Sequence, residues 1–372
     1  MGSNVKIDVR TVQDGPWAEL YVTAKPLNGD APEAQARDMF AGIARTLRDA
    51  NARIFQERVF AGADLMPQLM GIRGETYGDL VDAIAPTQLA VPSSAVGPVA
   101  GVQVHAVRGP QKPEPMCRQQ PCCSRLLRKG DVGFVAISGL MSPRSGPPAE
   151  QAWSMLGKVE CPLHMAGGDV MTVVRTWMWL GDILDWYDDF NATRNRFFKQ
   201  HRLINEGPNN VRLPASTGIG IGPAGDSTCA MDVYAVVGAE ARSEFLLAGG
   251  CQQPAFNYGS AFSRASRSIT PAGEAVFVSG TAAIDSSGHS EHIGDAERQI
   301  DATLEYVRAV LRQTHCRDED VVQSLVYCKT PEVERIFREK YANLQWPHIT
   351  AIADVCRPEL LFEVEATAVP QQ

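Results

Sequence analysis

The chain contains no run of about 18 apolar residues, the length a membrane-spanning helix requires, so no transmembrane segment is expected. Its polar start, MGSNVKIDVR, lacks the apolar stretch of a secretion signal, and Lys6 stands where a myristoylation signal wants Ser or Thr. A cytoplasmic (cytosolic) location is the resulting expectation. Nor is there a stripe of Lys and Arg able to neutralise successive phosphates. The formal net charge is −8 and the pI near 5.5, so no nucleic acid partner is expected. The nine cysteines make no CxxC pair and the seven histidines no HExxH pattern, which argues against a zinc site. The cluster Cys117, Cys122 and Cys123 reads as spare thiols in a linker, and most cysteines as reduced. The segment TGIGIGPAG has the glycines of a dinucleotide loop but no clear strand before it and no helix after it. No metal and no cofactor are implied.

What is present suits a folded protein. Of the 372 residues, 44% are apolar and 21% charged, and this length predicts two or three domains. Internal repetition is clearest at the C-terminus. EAVFVSGTAAID reads as a buried strand. It is followed by an amphipathic helix in which Ile300, Leu304, Val307 and Leu311 recur at helical spacing. DVVQSLVYCKT is a second strand, PEVERIFREKYANL a helix opened by Pro331, and WPHITAIADVC and LLFEVEATAV two further strands. The order β-α-β-α-β-β recurs in the middle of the chain from GDVGFVAISGLMSP to CAMDVYAVVG, with Ser138-Gly139 matching Ser279-Gly280. It recurs more weakly from AELYVTAKP to GVQVHAVRG. The Pro-rich GPQKPEPMCRQQPCC and the segment LAGGCQQPAFNYGS separate the copies. The expected units are 1–115, 128–240 and 255–372. Sheets with helices on one face leave edges that want partners, so the three units are expected to close as an intrachain pseudo-trimer. The chain would then be a monomer, or a homodimer of such rings.

The final strands align as Gln103, Asp232 and Glu363, followed two residues on by His105, Tyr234 and Glu365. Residues two apart share one face of a strand, so the last unit alone puts two carboxylates side by side in an apolar run. Burial and a like charge both raise a carboxylate pKa, which makes Glu363 a candidate proton donor and Glu365 its alternative. The competing reading is two solvated glutamates on an edge strand.

The last unit resembles the RidA/YjgF family through SGTAAID, the helix GDAERQIDATLEYVRAVL, VVQSLVYCK and FEVEATAV; the middle unit carries the same elements. That resemblance implies a trimeric α/β fold with clefts between units. Imine-hydrolysing members hold a carboxylate with an Arg at a position that aligns here with Ser216, Ile349 and the neighbourhood of Leu89. CRPELLFEVEATA is similar to the C-terminal motif of the chorismatases, which implies Glu363 as acid and Cys356 as the residue that separates product classes. Cys356 and Gly280 resemble the hydroxybenzoate-forming group. A strand cysteine is also often a small packing residue, and that reading of Cys356 stays open.

The resemblance implies cleavage of an enolpyruvyl ether, in which a neutral carboxylic acid protonates the terminal methylene. A small-molecule carboxylate substrate needs cationic partners, for which Arg264 and Arg212 are the candidates, each in a connection leading into a strand. Tyr258 offers a hydroxyl, Gly280 close approach to backbone, and Thr281 a further donor. The alternatives are a RidA-like enamine or imine hydrolase and a ligand-binding protein without catalysis.

Overall fold

A computed structural model describes residues 4–28, 31–118, 122–143, 145–205 and 211–370. It consists of three six-stranded sheets with helices on one face of each. The first unit holds β1 (Val5–Asp14), β2 (Trp17–Pro26), α1 (Pro32–Asp49), β3 (Arg53–Ala61), α2 (Met66–Tyr77), β4 (Thr87–Ala90) and β5 (Val99–Arg108). The second holds β6 (Glu114–Met116), β7 (Ser124–Lys129), β8 (Val132–Met141), α3 (Pro148–Gly157), α4 (Glu160–Ala166), β9 (Val173–Leu180), α5 (Ile183–Gln200), β10 (Ala215–Ile219), β11 (Gly222–Pro223) and β12 (Cys229–Val237). The third holds β13 (Ser243–Leu246), β14 (Ala265–Thr270), β15 (Gly273–Ala282), α6 (Ala296–Gln313), β16 (Val321–Cys328), α7 (Pro331–Lys340), β17 (His348–Ile352) and β18 (Phe362–Ala368).

The protein is thus an α/β fold of three tandem units of one architecture. The sheet orders are β1-β2-β5-β3-β4-β11, β10-β9-β12-β8-β7-β6 and β13-β14-β15-β18-β16-β17. In each, one parallel pair (β3–β4, β9–β10 or β16–β17) sits beside antiparallel neighbours. Each unit opens with a hairpin strand that the repeat does not predict, in β1–β2, β7–β8 and β14–β15, and the second and third units add the short edge strands β6 and β13. The short β11, from the middle of the chain, pairs with β4 and so ties the second unit to the first sheet.

Alternation along each strand divides the layers. In β18, Phe362, Val364, Ala366 and Ala368 pack with Ile300, Leu304, Val307 and Leu311 of α6, the helical face that the spacing predicts. Asp295 caps α6, its carboxylate accepting from the Arg298 amide. The opposite sheet faces turn inward and meet in a common core that includes Phe60, Trp179 and Tyr327, one from each unit.

The units contact one another in cyclic order. Strand β4 packs on β8, β10 packs on β15, and β17 packs on β2 and β5, so the ring closes within one chain. Polar side chains pair across units at its centre. Arg58 donates to Asp232 at 2.6 Å, Arg175 and Trp177 donate to Glu365 at 2.8 and 2.7 Å, and Gln103 donates to the Ser324 carbonyl at 2.8 Å.

Two local expectations are corrected. Cys117 and Cys122 are joined in a disulfide, because the β6–β7 hairpin brings their Cα atoms to 5.0 Å; the other seven cysteines are free. Cys356 is not on a strand: β17 ends at Ile352, and Cys356 lies in the connection to β18. Among the described residues no helix is long and apolar enough to cross a membrane.

Candidate active site

The pairing registers make Gln103, Asp232 and Glu363 equivalent, since they face Arg58, Trp177 and Tyr327 on the neighbouring strands of their sheets. Their surroundings differ. Asp232 is fully enclosed and accepts from the Arg58 guanidinium, the Thr87 hydroxyl and the Gly139 amide. The Gln103 amide is spent on a backbone carbonyl. Glu363 faces a cavity of about 140 Å³ between the second and third units, and among the described residues nothing donates a hydrogen bond to its carboxyl.

Both sides of the ring contribute to that cavity. From the second unit come Tyr187, Asn191 and Arg194 on α5, and Ser216 and Gly218 on β10. From the third come Tyr258, Ser260, Arg264, Gly280, Cys356, Arg357 and Glu363. Tyr187, Asn191 and Arg194 recur at i, i+4 and i+7, one face of α5, while Phe190, Phe197 and Phe198 anchor the helix in the core. The Ser216 amide donates to the Ser279 hydroxyl at 2.8 Å and the Gly280 amide to the Thr217 hydroxyl at 3.0 Å, stitching β10 to β15 along the cleft floor. Gly280 allows the Glu363 carboxyl to approach the backbone closely, because a methyl group there would run into its Oε1 and displace it.

Two buried guanidiniums supply positive charge. Arg264, 2% exposed, donates to the Gln253 carbonyl and, at 2.5 Å, to the Tyr258 hydroxyl. Arg194, 1% exposed, donates to Asn191 at 2.7 Å, while its Nε has no partner among the described residues. Two buried guanidinium charges lining one cavity suit it to an anionic ligand.

Glu363 is pushed up to about 8, first by burial and then by the Glu365 charge, with Arg175 and Arg264 opposing. It therefore carries a proton at neutral pH. Burial likewise pushes the Cys356 thiol and the Tyr187 phenol up to about 12, so both stay neutral and Cys356 is not a thiolate.

The structure brings Glu363, Cys356, Arg264, Tyr258 and Gly280 together around one cavity. The other expected residues lie elsewhere. Glu365 shares the strand face but reaches the ring centre, where Arg175 and Trp177 occupy its oxygens. The Thr281 hydroxyl is buried and donates to the Ser279 carbonyl. Arg212 lies over the Phe245 ring, 4.3 Å from its centroid, outside the cavity. Sequence reasoning missed Tyr187, Asn191, Arg194 and Arg357; the helical spacing of the first three was the available signal.

Comparison with known proteins agrees with this architecture. Residues 257–370 match the family described as Endoribonuclease L-PSP. No curated protein matches the chain. A crystal structure of chorismatase is similar over 72% of this chain and 82% of its own, with 20% identity and a TM-score of 0.53. A putative endoribonuclease from Thermotoga maritima aligns over 35% of this chain and 99% of its own, with 21% identity and a TM-score of 0.28. The YjgF gene product of E. coli aligns over 34% and 100%, with 17% identity and a TM-score of 0.27. Residues 257–370 are accordingly similar to the endoribonuclease L-PSP family, and the chain as a whole has a chorismatase-like fold.

Proposed function

We propose that the cleft between the second and third units cleaves the enolpyruvyl ether of chorismate or a closely related dicarboxylate, with Glu363 as the acid. The observation that carries this reading is a buried, protonated carboxyl facing a cavity that also holds two buried guanidiniums. Arg194 and Arg264 stand in for the arginine that Ser216 replaces, and two cations match a dianion. Glu363 gives its proton to the terminal methylene carbon, and the ether carbon becomes an oxocarbenium ion beside the new carboxylate. Water adds to that carbon and returns a proton to Glu363. The hemiketal then collapses to pyruvate and the ring alcohol. Capture by the neighbouring ring hydroxyl instead closes a cyclic ketal and returns that hydroxyl's proton to Glu363. One ring C–O bond then breaks, its oxygen taking up the proton that a ring carbon loses as the ring aromatises. The hemiketal left collapses to pyruvate and the hydroxybenzoate-type product, a choice that the neutral Cys356 thiol at the cavity wall would bias.

Purified protein incubated with chorismate should release pyruvate in proportion to enzyme concentration. Release no faster than in buffer would refute the reading. Activity on amino-acid-derived imines without any on chorismate would instead favour a RidA-like hydrolase, the reading that the family match of residues 257–370 supports.

A further inference from the structure

The ring has a second open cleft, between the third and first units, and its chemistry differs from that of the Glu363 cleft. There α7 and β17 face β2, and a cavity of about 240 Å³ opens between them. Its equivalence to the Glu363 cleft follows from register. Arg175 pairs with Ala215 and Leu325 with Ile349, so the next residues, Ser216 and Thr350, hold matching positions in the two cavities, which corrects by one residue the sequence alignment of Ser216 with Ile349. The acid is missing, because Gln103 stands at the position of Glu363 and is spent on a carbonyl. In its place the cavity has an amine.

Lys25 Nζ lies 3.0 Å from Nε2 of His348. The other ring nitrogen of His348 is 2.7 Å from the Trp346 carbonyl, which can only accept, so Nδ1 carries the hydrogen and Nε2 presents a lone pair to the amine. Burial, with the Lys25 charge beside it, brings His348 down to about 3, so the ring is neutral. Lys6 at the rim is paired with Asp8 at 3.1 Å and Arg338 with Glu334 at 3.6 Å. Among the described residues, Lys25 has no carboxylate within ion-pair distance. Burial and the Lys6 charge bring its ammonium down to about 8, Asp8 opposing and Arg338 adding to the fall. Two N–H groups of Lys25 and the Thr350 hydroxyl thus face a cavity whose other walls include Phe337 and Leu344.

We infer that this cleft is a second small-molecule site, which takes a carboxylate on a small apolar body and pairs it with the Lys25 ammonium. The carboxylate supplies the counter-charge the site lacks, and the apolar walls take the body. The site needs no proton donor and carries out no bond cleavage.

Benzoate is the probe, and site-resolved carbamoylation by cyanate, read by peptide mass spectrometry on the full chain, is the assay. Cyanate labels neutral amines, so Lys25 should label ahead of the exposed Lys112 and Lys199. Benzoate at about nine times its dissociation constant should slow labelling of Lys25 about tenfold and leave the exposed lysines unchanged. Glu363→Gln alters the other cleft and should give the same protection. Failure of Lys25 to label, labelling unaffected by benzoate, equal slowing at every lysine, or loss of protection in Glu363→Gln would each overturn the assignment.

Discussion

Replacing Glu363 by Gln should make the protein more stable at pH 8 while removing its acid. The carboxyl stands near its ordinary value of 4.5 in the unfolded chain and at about 8 in the folded one. Between those values the folded state holds a proton that the unfolded chain has released. The wild-type contribution is therefore full below about pH 4.5 and is lost as pH rises through about 8. Each pH unit in that window is worth about 1.4 kcal/mol, so the whole effect approaches about 5 kcal/mol. Glutamine keeps the shape and does not titrate. Denaturant unfolding of both proteins from pH 5 to 9 gives the difference directly, and other titrating groups largely cancel in it. The stability of Glu363→Gln minus that of wild type should climb across the window and level off above about pH 9. A difference independent of pH, or one that falls as pH rises, would refute the claim that Glu363 is buried and protonated.

Glu365→Gln should behave in the opposite way, costing about 3 to 5 kcal/mol in the same unfolding assay, because it leaves the buried Arg175 guanidinium without its counter-charge; a loss below about 1 kcal/mol would contradict the pairing. Cys356→Ala should shift the ratio of hydroxybenzoate-type to diene products from chorismate more than it changes the rate, and chromatography showing an unchanged ratio with a stability loss of about 1 kcal/mol would make Cys356 a packing residue. Light scattering should give the mass of one chain or of a dimer, since the ring closes internally; a trimer of whole chains would contradict closure.

The parts of the site that could be read from sequence are those in which one regular element fixes a side chain's direction. FEVEATA alternates so strictly that Glu363 and Glu365 share the face of β18 opposite Phe362, Val364 and Ala366 by period alone, whereas the burial of that face comes from the other units packed on it. What alternation could not show is that the two carboxylates part company. Glu365 meets Arg175 and Trp177 from another unit, and Glu363 meets open space, a difference made by residues far away in the chain. For the same reason Arg264 and Arg212 looked alike as loop arginines. Only packing puts one at the cavity and the other over Phe245. Arg194 is not distinguishable by sequence from a surface arginine, because it lies beside the phenylalanines of α5, over the Phe190 ring, and only packing of the third unit makes that face a cavity wall. The opening strand of the first hairpin is not legible in the sequence, because β1 is a half-exposed edge strand without the apolar run that marks β2.

The central claim is that one inter-unit cleft of the three works as an acid catalyst, and pyruvate release from chorismate by Glu363→Gln and Asp232→Asn, each measured against wild type, tests it most directly. Glu363→Gln should lower turnover by about 10² or more, because the proton donor is gone. Asp232→Asn disturbs a sealed ion pair away from the substrate and should lower turnover of the folded fraction by less than about threefold. Equal losses in the two variants, or wild-type turnover in Glu363→Gln, would contradict the account.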